Sequence, residues 1–290
     1  LLKSCDGLKK LFKVLIPILL LVLGFLSGKG YLLYKGYRES KKVQSCKSYP
    51  VIENKPFVVV IPSYNNEKWC DKNLSSVLEQ SYPNFRVIFI NDASTDNTLQ
   101  IAQKYKKISQ VNFTIVDNPV NLGALQNIYN AVHTCENDEI VVLVDGDDWL
   151  SHENVLGRLN QAYANPDIWM TYGQYVTYPA YKKGHCRKVE KKPFRKHNWI
   201  FSHVKTFQAG LFKRIQKNDL LNEGKFFSMA SDLAFMIPML EMAAKGHIHF
   251  IDDVLYIYNR VNPINDDKLN RKHQLLCESM IREKKAYKAL

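Results

Sequence analysis

Between Pro56 and Leu150 the chain alternates short apolar runs with amphipathic stretches, and this rhythm limits the fold more than any other feature. The runs are "PFVVVIPSY" (56–64), "FRVIFIND" (85–92), "VNFTIVD" (111–117) and "EIVVLVD" (139–145). They are short and rich in β-branched residues, and the first is too apolar for an edge strand. Between them lie "NEKWCDKNLSSVLEQ", "DNTLQIAQKYKK" and "GALQNIYNAVHTC". The first places Trp69, Asn73, Leu74, Val77 and Leu78 near helical spacing. Strand, helix, strand, helix at these lengths predicts right-handed βαβ units and a mostly parallel α/β sheet flanked by helices. Such a sheet takes its ligands at the carboxyl ends of its strands. The polar loops "PSYNNE", "NDASTD" and "DGDDW" all fall on that edge.

Beyond Trp149 the rhythm loosens. "VLGRLNQAYANP" reads as helix, "DIWMTYGQYVTYP" as strand and the Lys/Arg-rich 182–197 segment as a mobile loop. "SDLAFMIPMLEMAAKG" reads as a helix containing Pro238, "IHFIDDVLYIYN" as strand and the tail from Asp267 as a charged helix. The expected organisation is a hydrophobic and basic leader (1–55), a first half (56–150), a second half (151–266) and a charged C-terminal helix (267–290).

The formal charge of +12 is unevenly spread. Residues 1–55 carry +8, residues 182–217 carry +11, and the rest of the chain carries −7. An acidic body with little aromatic interleaving in its basic segments argues against a nucleic-acid binder. Six cysteines without a CxxC pair argue against a zinc site or a dense disulfide framework.

Val14 to Leu26, "VLIPILLLVLGFL", gives thirteen apolar or neutral residues. As a helix they span about 20 Å, short of the ~30 Å hydrocarbon core. Extension over Leu11–Tyr34 gives about 36 Å if Lys13 and Lys29 reach the headgroups. The expectation is an N-terminal hydrophobic helix that anchors the chain to a membrane, with a signal-peptide core or a buried helix as alternatives. Lys/Arg are more numerous after the segment than before it, which favours a cytoplasmic catalytic side over a lumenal one.

The acids at the loops carry the chemistry. Asp145, Asp147 and Asp148 follow a wholly apolar run, with Gly146 between the first two. A solvated turn with a helix-capping Asp is the plain explanation. Their place at the ligand edge, and a glycine that lets the backbone turn, favour hard oxygen ligation of Mg²⁺ or Mn²⁺ instead. Asp92 emerges from its strand and could accept a hydrogen bond from a base, while Ser94 and Asp96 suit a helix cap. Pro62 and Tyr64 lie where an aromatic face could stack on a nucleobase. Neither GxGxxG nor GxxxxGK[ST] occurs, so no dinucleotide or P-loop nucleotide is indicated.

In their order and spacing, "VVVIPSYNNE", "FINDASTDNT", "NLGALQN" and "VDGDDWL" resemble the inverting family 2 glycosyltransferases of the GT-A fold. The resemblance covers 56–150 and continues to about 265 through "TYGQY", "SHVKTF", "MASDLAFMIPMLEMAAKG" and "LYIYNRVNP". It implies a metal-dependent transfer of a sugar from a nucleotide-diphosphate donor, UDP-linked, to a glycan, lipid or protein hydroxyl. Pro62, Tyr64 and Glu67 match the first nucleotide-contact loop, and Asp92 matches the residue that reads the uracil edge. Asn121 and Gly123 match the "NxG" helix start, although Gln126 stands where the family often has Arg. Asp145 matches the acid facing ribose or sugar, and Asp147 the ligand of Mn²⁺ or Mg²⁺. Asp232 matches the general base, with Ser231 in place of the usual Glu. On the acceptor side the expected residues are Trp149, His203 and Lys205. The absence of QxxRW and of a channel-forming hydrophobic region implies non-processive addition. A nucleotidyltransferase would share the sheet but should open on a Gly-rich basic loop, and a catalytically dead binder should have lost the metal or base residue. This assignment predicts that Asp147→Asn abolishes transfer with little loss of fold, because like-charge repulsion is relieved. Near wild-type transfer by the purified variant would overturn Asp147 as the metal ligand.

Overall fold

The computed structural model describes residues 53–189 and 193–290. In chain order the elements are β1 (Phe57–Ser63), α1 (Glu67–Leu78), β2 (Phe85–Asn91), α2 (Thr98–Ile108), β3 (Asn112–Asp117), α3 (Ala124–His133) and β4 (Ile140–Leu143). There follow β5 (Trp149–Leu150), α4 (Val155–Tyr163), β6 (Met170–Tyr178), β7 (Lys205–Gln208) and α5 (Ala209–Phe212). A small ribbon of β8 (Leu221–Asn222) and β9 (Lys225–Phe226) precedes α6 (Ser231–Met242), β10 (Ile248–Asn259), α7 (Asp266–Leu269) and α8 (Arg271–Glu283).

Eight strands form one sheet in the order β3-β2-β1-β4-β7-β6-β10-β5. β3, β2, β1 and β4 are parallel neighbours, as the alternation requires. β7 inserts antiparallel between β4 and β6, and β5 pairs antiparallel with β10 at the far edge. The α/β expectation holds, but the sheet is mixed. The strand that joins the two halves, β7, reaches β4 through the long excursion after β6 and not through a βαβ crossover.

β1 shows why its sequence is apolar throughout. Val58 and Val60 point into the core shared with α3, α6 and α8, while Phe57, Val59 and Ile61 point into the core shared with α1, α2 and α4. Period-two alternation therefore serves two apolar faces instead of one apolar and one wet face. β1 also lies between β2 and β4, so the chain winds outward to β3 and then returns across β1. That reversal opens a crevice at the carboxyl ends of β1 and β4, the standard ligand position for such sheets.

Two second-half expectations change. The 182–197 segment is anchored at its C-terminal end. Arg195 donates from Nε and Nη2 to the two oxygens of Glu241 at 2.7 and 2.9 Å and from Nη1 to the Ile281 carbonyl at 2.6 Å. Both partners are largely buried, and a bidentate charged pair of this kind fixes direction as well as place. The charged tail is two helices, because Asn270 breaks it and caps α8, its side chain accepting from His273 N at 3.0 Å. The hydrophobic leader lies outside the described residues. Among the described residues no helix is long and apolar enough to cross a membrane.

A hydroxyl cluster lies inside the sheet's second half. Tyr163 Oη and Thr206 Oγ1 are 2.8 Å apart, Thr171 Oγ1 and Thr206 Oγ1 are 2.7 Å apart, and all three residues are buried. Thr206→Val keeps the shape but removes the hydroxyl that Tyr163 and Thr171 share, so each buried hydroxyl loses one partner. The expected cost is about 1–3 kcal/mol in urea unfolding; an unchanged midpoint would show the hydroxyls to be satisfied otherwise.

Candidate active site

The loops after β1 and β2 are stitched together before any ligand is considered. Asn65 N donates to Ser94 Oγ at 3.0 Å, Asn66 N to Thr98 Oγ1 at 2.8 Å, and Thr95 N to Asn65 Oδ1 at 2.8 Å. The two loops also bond reciprocally: Glu67 N donates to Asp96 Oδ2 at 3.0 Å, and Asn97 N donates to Glu67 Oε2 at 3.1 Å. Each acid thus also serves the amides at the start of the neighbouring helix. Tyr64 stands exposed beside this seam, and Pro62 accepts from Gly146 N at 3.1 Å.

Asp92 is buried at the end of β2. Its Oδ1 accepts from Leu122 N and Asn118 Nδ2, each at 2.8 Å, and its Oδ2 from Gly123 N at 2.9 Å. Asn121 Nδ2 donates to the Asp92 carbonyl at 3.2 Å. Gly123 precedes α3 with φ +81°, a conformation that favours glycine. Asp92, Asn121 and Gly123 are therefore one unit, a carboxylate at a helix N-terminus where the backbone dipoles favour negative charge.

The acidic turn Asp145–Asp148 is gripped from three sides. From α1, Asn73 Nδ2 donates to the carbonyls of Asp145 and Asp148 at 2.9 and 2.8 Å. From β10 and its following loop, Asn259 N donates to Asp148 Oδ1 at 2.7 Å and Asn262 Nδ2 to Asp147 Oδ2 at 2.8 Å. Asp145 N donates to Tyr256 Oη at 3.0 Å. Burial raises the Asp147 carboxyl above the usual range, with the Asn262 bond opposing. Asp148 is pushed well above that range by complete burial, then by the charges of Asp147 and Asp145. Gly146 is required for a reason other than turning. A Cβ there would lie 2.5 Å from Ser63 Oγ and 2.6 Å from Ser63 Cβ, so the turn rests directly on the end of β1.

Opposite the acids stand His203 and Lys205. The His203 ring stacks on Tyr256 at 4.4 Å between centroids, and its Nδ1 is 3.9 Å from Asp145 Oδ2. Burial, then the Lys205 charge, lowers its pKa well below the ordinary value, so the ring is neutral. Lys205 is 1% exposed, and its Nζ donates to Asp232 Oδ2 at 2.6 Å. Burial alone would lower the ammonium pKa, but Asp232, Asp145 and Asp148 outweigh it and hold it above the ordinary lysine value. Asp232 lies in the first turn of α6. It is not the N-cap, a position taken by Ala230.

Among the described residues, the side chains that converge as cation ligands are Asp145, Asp148 and His203, whose ligand atoms lie within 4.8 Å of one another. Among the described residues, Asp148 Oδ2 and His203 Nδ1 are buried without a hydrogen-bond partner. Two carboxylates and a neutral imidazole with two such atoms are a donor set that fits Mn²⁺ or Mg²⁺. Asp147, the sequence-derived ligand, lies beside this group with one oxygen engaged by Asn262.

One expected acceptor residue does not reach the crevice. Trp149 is 3% exposed, covered by Tyr178 at 5.2 Å between centroids and by Lys72 Nζ at 3.8 Å from its ring centre. It packs in β5 and offers no free face to a sugar. The sequence reading missed Asn73, Asn259, Asn262 and Tyr256. Asn73 sits in an N-x-S triplet, yet it is wholly buried with its amide on the acidic turn.

Residues 58–222 match the model of glycosyl transferase family 2. The chain belongs to this family. Glycosyltransferase GlyG of Streptococcus pneumoniae is 28% identical over 215 residues, 70% of each chain. The poly(ribitol-phosphate) β-N-acetylglucosaminyltransferase TarS of Staphylococcus aureus is 34% identical over 101 residues, 34% of this chain and 17% of TarS. The chain thus spans under a fifth of TarS in that alignment. Mannosyltransferase PcManGT of Pyrobaculum calidifontis, solved with GDP-Man and Mn²⁺, has the same fold with a TM-score of 0.55 at 18% identity, over 94% of this chain and 76% of its own.

The packing of Gly146 on Ser63 has a measurable consequence. Gly146→Ala should cost about 1–3 kcal/mol of stability through overpacking. Adding Ser63→Gly should restore most of it in chemical denaturation. Equal stability of Gly146→Ala and wild type would show that the turn can shift freely.

Proposed function

We propose that this family 2 glycosyltransferase moves a sugar from a UDP-linked donor to an acceptor hydroxyl with inversion at the anomeric carbon, one addition per encounter. The observation that carries this reading is the position of the acidic turn. It lies at the carboxyl ends of β1 and β4, on the same side as Lys205 and the Asp232 that Lys205 holds. A solved TarS fragment holding UDP, with a TM-score of 0.54 at 24% identity over 72% of this chain and 61% of its own, supports the shared fold and suggests the donor class. Mn²⁺ in the PcManGT structure supports the cation.

In this reading the Asp92 unit and Tyr64 receive the nucleoside, Pro62 and Glu67 shape the loop beneath it, and Asp145 faces the ribose or sugar. Asp145, Asp148 and His203, the side chains that converge, would hold a divalent cation with Asp147 beside them, and when bound it would supply Lewis-acid neutralisation of diphosphate charge. Asp232 accepts the proton of the acceptor hydroxyl as its oxygen bonds to the anomeric carbon. The bond from that carbon to the diphosphate oxygen breaks, and nucleoside diphosphate leaves. Orientation in a closed crevice and a positioned base divide the rate enhancement between them. The basic 182–217 segment suits an anionic acceptor, a chemistry that the name of TarS also suggests.

A panel of nucleotide-sugars tested for Mn²⁺-dependent release of nucleoside diphosphate checks the reading. UDP-sugars should be hydrolysed slowly without acceptor and stop when the metal is chelated. Asp232→Asn should lower transfer by about 10²–10⁴-fold while leaving UDP affinity, read by calorimetry, within about threefold. Donor release from no nucleotide-sugar, or full transfer by Asp232→Asn, would overturn it.

A further inference from the structure

Lys205 stands in an unusual place for a lysine. It opens β7 directly opposite Leu143, the last residue of β4, so its stem runs inside the joint between the two halves of the sheet. A fully buried ammonium is costly unless it is paired and hydrogen-bonded. Here the pairing is lopsided. The hydrogen bond goes to Asp232 Oδ2 at 2.6 Å, while Asp145 and Asp148 act on Lys205 through their field. Asp232 is the more accessible partner, its side chain 31% exposed against 1% for Lys205. Buried and, among the described residues, hydrogen-bonded to one carboxylate, Lys205 is poorly placed to greet an acceptor.

We propose that Lys205 is a positioning residue for Asp232: it holds Oδ2 and leaves Oδ1 as the oxygen that takes the acceptor proton. The inference rests on Asp232 as the base of the proposed transfer. It replaces the acceptor-contact role that the sequence suggested for Lys205. The ammonium keeps its three protons throughout. The proton of the acceptor O–H passes to Asp232 Oδ1 as the new C–O bond forms and the bond to the diphosphate breaks, and it is then lost to solvent.

A double-mutant cycle in the full chain tests this, with kcat, donor KM and UDP affinity read for each variant. Lys205→Met should lower kcat about 10²-fold with donor KM and UDP affinity within about threefold. Lys205→Met in an Asp232→Asn background should cost nothing more, because a misplaced base matters only where a base exists. If the two losses multiply, or if donor KM rises while kcat holds, Lys205 acts independently of Asp232 and the proposal is overturned. If Asp232→Asn alone keeps full transfer, the base assignment fails first, a separate outcome from failure of the coupling. Should Lys205→Met not fold, the same cycle is run with Lys205→Arg, which keeps the charge and displaces the hydrogen bond. The proposal then requires a kcat loss confined to the Asp232 background, and multiplied losses overturn it.

Discussion

A buried strand that ends in three carboxylates can exist only if something answers their charge and fixes their backbone. In this protein both are done from elsewhere in the chain. Lys205 stands buried at the joint on Asp232, and Asp145 and Asp148 help keep its ammonium charged. Asn73 holds the carbonyls of the turn, while Asn259 and Asn262 hold the carboxylates of Asp148 and Asp147. The grip comes from α1, β7 and β10, so the turn is where the first and second halves of the sheet are locked together. Removing one partner of such a buried charged set leaves the others uncompensated, which is why the site and the fold share residues.

The same economy appears at the other loops. Glu67 and Asp96 hold each other's helix starts, and the Asp92 carboxylate rests on the amides that open α3. Polar side chains that look spare in the sequence are holding a surface on which a nucleotide could settle. Rigid loops of this kind cost little entropy when a ligand arrives, since most of the ordering is already done on folding.

How much could be read in advance depended on how local the cause was. The parallel strands β1 to β4 and their helices were legible, because hydrophobic period reports burial within one segment. So were Asp92, Asp145 and Asp147 as residues of the ligand edge, because strand ends follow from strands. Trp149 was misjudged: aromatic and next to the acids, it looked available, yet Tyr178 and Lys72 cover it from distant positions. Gly146 was singled out correctly for the wrong cause, since its constraint is the approach of Ser63, 83 residues earlier. The antiparallel insertion of β7 was not legible, because pairing across a long excursion leaves no periodic trace.

The sequence by itself determined the alternation that builds a doubly covered sheet, the chemistry of its loops and the family to which the chain belongs. Those properties are written in neighbouring residues, through burial period, turn composition and the order of short motifs. Only the tertiary structure decided which partners each acid has. It brought His203 beside Asp145, set Lys205 on Asp232 and turned Asn73, Asn259 and Asn262 toward one turn. Such pairings span 27 to 115 residues, and no local pattern encodes them. They arise when β7 and β10 close the second half of the sheet against the first.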